Sequence, residues 1–514
     1  MVSKSLLKST VSVGAMTLIS RILGFARDIL IARLFGTSAG ADAFFVAFKI
    51  PNFMRRLFGE GAFSLAFVPV LSEYKTQRGD AEVQRLIDHV AGVLGGILFV
   101  VTVIGVIAAP ILVALFAPGF LDEPDRYALT VEMLRITFPY LMFISLTALA
   151  AGILNSYGFF SAAAFTPVIL NVSLIAAAVL LAPYLDQPVT ALAWGVFFGG
   201  IFQLLFQFPF LRRLGKLPRP RWQRKDEGVR RIIKLMMPAI FGSSVVQINL
   251  LFDTLIASFL VTGSVSWLYF SDRLVEFPLG IFGIALATVI LPNLSQKHAD
   301  QSAEAFSSTL DWALRLVVVL ALPAALALAV LAAPMIATLF QYGEFSAHDT
   351  LMAARSLVAY SLGLLSFILV KVLVTGFYSR QDTKTPVRIG IIAMVANMVF
   401  NVLLVFPLAH AGLALATSLS ALLNALLLYR ILRREGVYQP GAGWLPLVLR
   451  VVSASVAMAL VLWLGVAGIE QWFEWGWLQR SWHLGMWVVV GGTVYFAVLW
   501  LCGMRPGQLR LART

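Results

Sequence analysis

The chain has 514 residues, of which 60% are hydrophobic and 13% charged, and its mean hydropathy is +0.87. Soluble domains carry about 25% charged residues, and a soluble fold this apolar would expose patches that aggregate. The composition therefore predicts a polytopic membrane protein, in which the net charge of +13 reflects topology rather than nucleic-acid binding, and the single cysteine excludes a disulfide framework.

The apolar segments predict an all-α polytopic membrane protein with fourteen transmembrane helices. A span requires about 20 mainly apolar residues between polar or turn residues. Pro51 and Pro278 interrupt the second and the eighth helix. In chain order, the predicted spans are 7–35, 40–72, 87–117, 128–156, 161–183, 190–212, 229–261, 264–294, 307–341, 348–379, 384–407, 411–433, 444–468 and 481–503.

The loops between these helices alternate in charge. Lys and Arg concentrate in every second loop, most densely at 211–231, whereas loops such as GTSAGAD and PGFLDEPDR are nearly free of them. Because cytoplasmic loops carry the excess of Lys and Arg, both termini are expected in the cytoplasm. We interpret the basic run at 211–231 as the Lys and Arg excess of a cytoplasmic linker between the lobes. The alternative is a binding site for lipid headgroups or for a partner.

Short matches recur at an offset of about 220 residues and indicate a duplicated unit of six helices. An even number of helices gives both copies the same orientation. We therefore expect lobes at 1–220 and 221–440 around a central cavity, followed by an extra helix pair and a cytoplasmic tail at 441–514. The matches are FVPVLS at 67–72 with ILPNLS at 290–295, TPV at 166–168 with TPV at 385–387, and LRRLG at 211–215 with LRREG at 432–436.

The first helix carries charges that lipid disfavours. Arg21, Arg27, Asp28 and Arg33 lie in the segment SRILGFARDILIARLFG, and a charge at the bilayer centre costs about 2.5–3.5 kcal/mol on insertion scales. Arg21 and Asp28 share one helix face. Arg33 lies near the helix end, where snorkelling to the interface explains it.

Two further helices carry charges of the same kind. One interpretation is that the charges pair with one another and lock the helices together. The other is that they face a cavity, because charges within a membrane mark substrate paths. The excess of arginine favours the cavity, and the guanidinium fork suits an anion such as a diphosphate. These charges are Asp42, Lys49, Arg55, Arg56 and Glu60 in the second helix, and Asp272, Arg273 and Glu276 in the eighth.

A second polar group lies on the seventh, eleventh and twelfth helices. It comprises Asp253, Asn397, Asn401 and Thr417. Hard oxygen ligands of this kind suit a small cation such as Na⁺. Hydrogen bonding between the helices explains the same side chains equally well.

Catalytic motifs are absent from the sequence. It contains no G-x-x-x-x-G-K-[ST] phosphate loop, no H-E-x-x-H metal motif and no G-x-S-x-G nucleophile elbow. ATP hydrolysis and the common hydrolase mechanisms are therefore not expected, and the protein is predicted not to be an enzyme.

Four segments carry a resemblance to a known family that extends over essentially the whole chain. They are SRILGFARD at 20–28, DAFFVAFKIPNFMRRLFGEGAFS at 42–64, GSVSWLYFSDRLVEFP at 263–278 and GFYSRQDTKTPV at 376–387. The sequence resembles the MurJ (MviN) family of lipid II flippases, within the superfamily of multidrug, oligosaccharidyl-lipid and polysaccharide exporters. The resemblance implies transfer of undecaprenyl-diphosphate disaccharide-pentapeptide to the periplasmic leaflet of the bacterial inner membrane during peptidoglycan synthesis.

The resemblance also implies site residues and partners. A cationic cavity would bind the diphosphate, and the C-terminal helix pair would hold the lipid tail. A family sodium site matches Asp253, Asn397, Asn401 and Thr417, although one family pattern has a carboxylate at Asn401. No other cofactor is implied, and the partners are the glycolipid, membrane lipids and proteins of cell-wall synthesis and division. The implied substrate-binding residues are Arg21, Arg27, Arg55 and Arg273, supported by Asp28, Asp42, Lys49, Glu60, Ser266 and Asp272.

Two other functions compete with this interpretation. A cation-coupled multidrug exporter of the same superfamily would use an acidic, aromatic cavity, whereas this sequence offers arginine. A membrane scaffold for cell-wall enzymes, without transport, would tolerate neutral replacement of Arg27 and Arg273.

Overall fold

A computed structural model describes residues 4–56, 63–284, 290–291, 293–296 and 302–505. These residues form α-helices joined by short turns, with a few 3₁₀ and π segments and no β-strand among them. The chain divides into two compact units, Met1–Val265 (unit 1) and Ser266–Thr514 (unit 2). The prediction of an all-α protein is therefore confirmed.

Unit 1 is built from ten α-helices within the described residues. α1 packs on α8, α8 and α7 pack on α9, and α2 packs on α6. A buried apolar core lies where α3, α4 and α7 meet, and it includes the stacked rings of Phe63 and Phe67. The helices are α1 (Lys4–Phe35), α2 (Ala39–Met54), α3 (Ser64–Gln77), α4 (Asp80–Ile107), α5 (Ala109–Phe116), α6 (Pro124–Thr137), α7 (Tyr140–Ser156), α8 (Phe160–Ala176), α9 (Thr190–Arg213) and α10 (Glu227–Ser258).

The helices of unit 2 begin with α11, which starts at the boundary between the units. α16 packs on α17, and α12 packs on α18, which in turn packs on α20. The helices are α11 (Ser264–Pro278), α12 (Ala303–Val330), α13 (Ala332–Phe340), α14 (Ala347–Ser361), α15 (Leu364–Tyr378), α16 (Lys384–Leu408), α17 (His410–Arg434), α18 (Trp444–Gly465), α19 (Ile469–Glu474) and α20 (Trp477–Leu501).

Nine helical segments in the described part of the chain are long and apolar enough to cross a membrane. The pair α14–α15, bent by 40°, makes a tenth if it is one span. Each of these corresponds to a predicted span. The four predicted spans outside this set are 7–35, 40–72, 229–261 and 264–294. Those four contain every predicted substrate-binding residue and Asp253, so the charged helices are distinct from the plainly apolar ones.

The two prolines that were expected to interrupt spans have different effects. α2 continues through Pro51 to Met54 and is followed by a π segment at residues 55–56. Pro278 is the last residue of α11, and a π-helical segment, Leu279–Ile284, follows it. Because proline lacks a backbone N–H, it removes an intrahelical hydrogen bond and favours such irregular turns.

One carboxylate anchors the segment that leads into α18. Asp311 Oδ1 on α12 accepts hydrogen bonds from Tyr438 Oη and Trp444 Nε1, both at 2.7 Å. Asp311 Oδ2 accepts from Arg315 Nε at 2.7 Å. Arg315 also donates through Nη2 to the carbonyl oxygen of Ala442 at 2.8 Å. These contacts fix the start of the C-terminal helix pair to α12.

A buried arginine anchors the other end of that pair. Arg480, at the start of α20, is 5% exposed and its guanidinium lies over the Tyr342 ring, with Cζ 5.3 Å from the centroid. All of its hydrogen-bond acceptors are backbone carbonyl oxygens at 2.7–3.1 Å, so it closes the ends of α13 and α19. The acceptors are the oxygens of Ala337, Gln341, Trp472 and Phe473.

Candidate functional site

The charges of α1 form a buried group with α8. Arg27 and Asp28 are 7% and 1% exposed. Arg27 donates from Nε and Nη2 to Asp28 Oδ1 at 2.9 and 2.6 Å, and from Nη1 to Asn171 Oδ1 at 3.0 Å. Because a buried charge is costly unless it is paired and hydrogen-bonded, these contacts explain how α1 keeps both charges.

Asn171 completes this group and was not predicted from the sequence. Its Nδ2 donates to the carbonyl oxygen of Ser20 at 3.0 Å. A Cβ at Gly24 would lie 3.4 Å from the same nitrogen, so glycine gives the amide room at α1. Asn171 thus bonds both the Arg27 side chain and the α1 backbone. Its signal is a lone amide in the apolar segment FTPVILNVSLIAAA, because such side chains bond between helices in membranes.

Asp42 is held in a second buried ion pair. Its side chain is 0% exposed, and Oδ2 accepts from Arg126 Nη2 at 2.6 Å and from the backbone N of Gly263 at 2.7 Å. Arg126 also donates from Nη1 to Glu123 Oε1 at 3.0 Å and lies over the Phe120 ring, with Cζ 3.8 Å from the centroid. Asp42 therefore ties α2 to α6 and to the turn before α11.

Arg126 is the second important residue that sequence reasoning missed. It lies in the segment PGFLDEPDR, for which the sequence predicts a loop with few basic residues. The structure instead buries it at the start of α6. Asp42 and Arg126 thus follow the pairing interpretation, as Arg27 and Asp28 do. A direct part for Asp42 in substrate binding stays a prediction.

The other predicted residues of α1 and α2 are more accessible. Arg21 is exposed, and Lys49 and Arg55 are half-buried. Arg55 donates from Nε to Asn52 Oδ1 at 2.9 Å. Glu60 lies outside the described residues.

In unit 2, the predicted residues of α11 lie in two different environments. Ser266 is buried, whereas Asp272 is exposed and Arg273 half-buried. Arg273 donates from Nη1 to Glu276 Oε2 at 2.8 Å and lies 5.7 Å from the Tyr269 ring centroid. Glu276 is exposed and Arg273 is half-buried, so another anion can reach the guanidinium from the solvent side.

Three of the predicted ion ligands lie together in unit 2. Asn401 Nδ2 donates to Asn397 Oδ1 at 2.6 Å, and Asn397 Nδ2 donates to Thr417 Oγ1 and Ser420 Oγ, both at 3.3 Å. Asp253, the fourth, is half-buried on α10 of unit 1. No cluster of three or more His, Cys, Asp or Glu suited to a metal occurs in the described residues. The two amides bond each other within α16, and Asn397 bonds the Thr417 and Ser420 hydroxyls across to α17, which is the hydrogen-bonding alternative.

Two exposed ion pairs hold the start of α10 against α3 and the turn after it. Arg231 Nη1 lies 2.8 Å from Glu73 Oε1, and Arg78 Nη1 lies 3.1 Å from Glu227 Oε2. The hydrogen bond from Arg231, with the positive charge of Arg78 nearby, lowers the pKa of the Glu73 carboxyl. The Glu73–Arg231 pair is therefore fully charged at neutral pH.

Sequence comparisons match the chain over nearly its whole length. The family model described as lipid II flippase MurJ matches residues 31–480. A probable lipid II flippase MurJ of Vibrio cholerae serotype O1 is 52% identical over 99% of both chains. The lipid II flippase MurJ of Burkholderia cenocepacia is 44% identical over 98% of this chain and 99% of its own.

Solved structures agree with these relatives. A lipid II flippase MurJ in an inward closed conformation superposes with a TM-score of 0.79 at 27% identity, over 95% of this chain and 97% of its own. An inward-facing multidrug MATE transporter gives a TM-score of 0.68 at 15% identity, over 83% of this chain and 98% of its own, and shows the shared fold. The predicted family is therefore confirmed, and the chain belongs to the MurJ family of lipid II flippases.

Proposed function

We propose that this protein moves lipid II from the cytoplasmic to the periplasmic leaflet of the bacterial inner membrane by alternating access. The observation that carries the proposal is the 52% identity, over 99% of both chains, to a relative named as a probable lipid II flippase. Family membership places the chain among transporters, and we propose that it catalyses no chemical reaction. Its partners would be the glycolipid, membrane lipids and proteins of cell-wall synthesis and division.

The proposal includes the finer architecture. It has fourteen spans with both termini cytoplasmic, lobes at 1–220 and 221–440, and a C-terminal pair for the lipid tail. Ten apolar spans, with the bent pair counted as one, and the four charged ones support the number of spans. The charge alternation of the loops supports the orientation.

The diphosphate would be bound by arginines that differ in accessibility. The exposed Arg21 and the half-buried Arg273 are open to a ligand. An exposed ion pair such as Arg273–Glu276 is worth about 0–1 kcal/mol, so a diphosphate can displace Glu276 at little cost. Arg27 is held by Asp28 and Asn171 and presents a fixed guanidinium. Because Glu276 can pair with Arg273 again, the diphosphate is bound with moderate affinity and can be released on the periplasmic side.

The test is leaflet exchange of labelled lipid II in liposomes that contain the purified protein. We expect Arg27→Ala and Arg273→Ala each to slow exchange by at least about tenfold, because each removes a charge-assisted contact to phosphate worth about 1.5–3 kcal/mol. Arg33→Ala, on the exposed face of α1, is the matched control and should exchange like the unmodified protein.

The same assay separates the competing functions. Normal exchange by both Arg27→Ala and Arg273→Ala would refute arginine binding of the diphosphate. Binding of lipid II without exchange by the unmodified protein would favour a scaffold or a missing energy source. Asn171→Ala leaves Arg27 in place but removes its support, so we expect a smaller loss than for Arg27→Ala.

Sodium coupling is a separate proposal, supported by the oxygen-bearing side chains at Asp253, Asn397, Asn401 and Thr417. We expect NaCl, but not choline chloride, to raise the apparent melting temperature of the purified protein. Asp253→Ala and Asn401→Ala should each abolish this difference. An equal shift of the melting temperature in both salts would refute sodium binding at these residues. An unchanged sodium effect in both variants would do the same, and the side chains would then serve only in hydrogen bonding between helices.

A further inference from the structure

The linker between α9 and α10, residues 214–226, lies as a strap against the start of α4. The backbone N of Arg219 donates to Asp88 Oδ1 at 2.8 Å, and the backbone N of Arg221 donates to the Asp88 carbonyl oxygen at 3.0 Å. The main chain of the strap is therefore fixed, although its sequence is rich in exposed arginine.

Two glycines of α4 let the strap approach closely, Gly92 against its backbone and Gly96 against a side-chain ring. A Cβ at Gly92 would lie 2.3 Å from the Arg221 carbonyl oxygen, and one at Gly96 would lie 2.4 Å from the Trp222 ring. A side chain at Gly92 would displace the strap backbone, whereas at Gly96 the exposed Trp222 ring would have to turn away. The strap is therefore packed and hydrogen-bonded against α4 as part of unit 1.

Beneath the strap, α4, α7 and α9 line a half-open cavity of about 290 Å³. Every side chain that lines it is apolar. The volume lies just below the range of ligand sites, which begins at about 300 Å³. An apolar cavity of this kind has no polar partners for water, so it suits a hydrocarbon chain. Its walls include Gly95, Leu149, Phe208 and Leu211, and the strap contributes Pro218 and Pro220 to one side of it.

Four arginines are adjacent in the chain to residues that line this apolar cavity. Arg212 and Arg213 directly follow the lining residue Leu211, and Arg219 and Arg221 alternate with the lining prolines. All four are exposed, and none has an ion-pair partner in the described parts of the chain. Trp222, which is 61% exposed beside them, is a residue type enriched where lipid meets water.

We propose that this cavity binds one acyl chain of an anionic phospholipid of the cytoplasmic leaflet, with the phosphate bound by Arg219 and Arg221. An apolar cavity beside four arginines matches a ligand that joins hydrocarbon to a negative charge. Anionic lipids are enriched in that leaflet and attract basic segments. The inference uses only the cytoplasmic orientation of the 211–231 run and does not depend on lipid II transport.

The test uses the delipidated full-length protein with equal amounts of phosphatidylglycerol and phosphatidylethanolamine, and counts bound lipids by native mass spectrometry. We expect the unmodified protein to retain phosphatidylglycerol preferentially. The double variant Arg219→Gln/Arg221→Gln should lose about 25-fold in affinity, since each interfacial arginine contributes about fivefold. The control is Arg433→Gln/Arg434→Gln, an exposed pair at the end of α17, which should bind normally.

A second variant tests the cavity itself. Gly95→Leu should abolish retention of phosphatidylglycerol, because the leucine side chain would fill the cavity that Gly95 lines. The helix should tolerate the substitution, since a Cβ at Gly95 would lie 4.0 Å from its nearest neighbour, Leu146. Gly485→Leu on α20, where a Cβ meets nothing within 4 Å, is the matched control. Retention unchanged in both the arginine and Gly95 variants would overturn the proposal. Equal retention of the two lipids would also overturn it. Displacement of phosphatidylglycerol by undecaprenyl phosphate would overturn it too, and would assign the cavity to the tail of the transported lipid.

Discussion

Asp42→Ala is expected to destabilise the protein by up to about 3–5 kcal/mol, because the buried Arg126 loses its buried carboxylate partner and keeps the ion pair to the exposed Glu123. Arg126 Nε already has no acceptor among the described residues, and the Gly263 N–H loses its acceptor too. The loss should appear as a lower denaturation midpoint in detergent. Asp125→Ala, an exposed neighbour of Arg126, should leave the midpoint unchanged.

A double variant separates stability from substrate binding. Asp42→Ala/Arg126→Met removes both buried charges and should be more stable than Asp42→Ala alone. If the double variant exchanges lipid II normally, Asp42 acts through structure rather than through contact with the substrate. A midpoint for Asp42→Ala equal to that of Asp125→Ala would contradict the ion pair seen here.

Arg480→Met should destabilise unit 2 by about 3 kcal/mol or more. The substitution keeps much of the side-chain volume but leaves the carbonyl oxygens of Ala337, Gln341 and others without a donor, and a buried unsatisfied group costs about 1–3 kcal/mol. Arg480→Lys keeps the charge and should be intermediate, because an ammonium cannot reproduce the planar fork. The readout is the denaturation midpoint in detergent.

Arg450→Met on α18 is the matched control for Arg480. Arg450 is half-buried and makes no ion pair in the described residues, so its loss should change the midpoint little. Equal midpoints for the Arg480→Met and Arg450→Met variants would show that the four carbonyl contacts contribute nothing measurable. A midpoint lowered only in Arg480→Met would identify this arginine as the anchor of the C-terminal pair.

The sequence predicted the helical class and the family, since apolar runs and local motifs are properties of neighbouring residues. It also allowed the Arg27–Asp28 pair, whose members are adjacent. The partners Asn171 and Arg126 lie 144 and 84 residues from Arg27 and Asp42. Such contacts depend on which helices pack together, and periodicity within one helix does not determine that. The substrate contacts and sodium ligands stay predictions for the same reason.

The exposed pairs at the start of α10 and the buried Asp42–Arg126 pair should respond differently to ionic strength. Salt shortens the Debye length from about 8 Å at 0.15 M to about 3 Å at 1 M, and it screens exposed charges much more than buried ones. Arg231–Glu73 and Arg78–Glu227 are accessible, whereas Asp42 is enclosed. High salt should therefore loosen the start of α10 while the Asp42 junction holds.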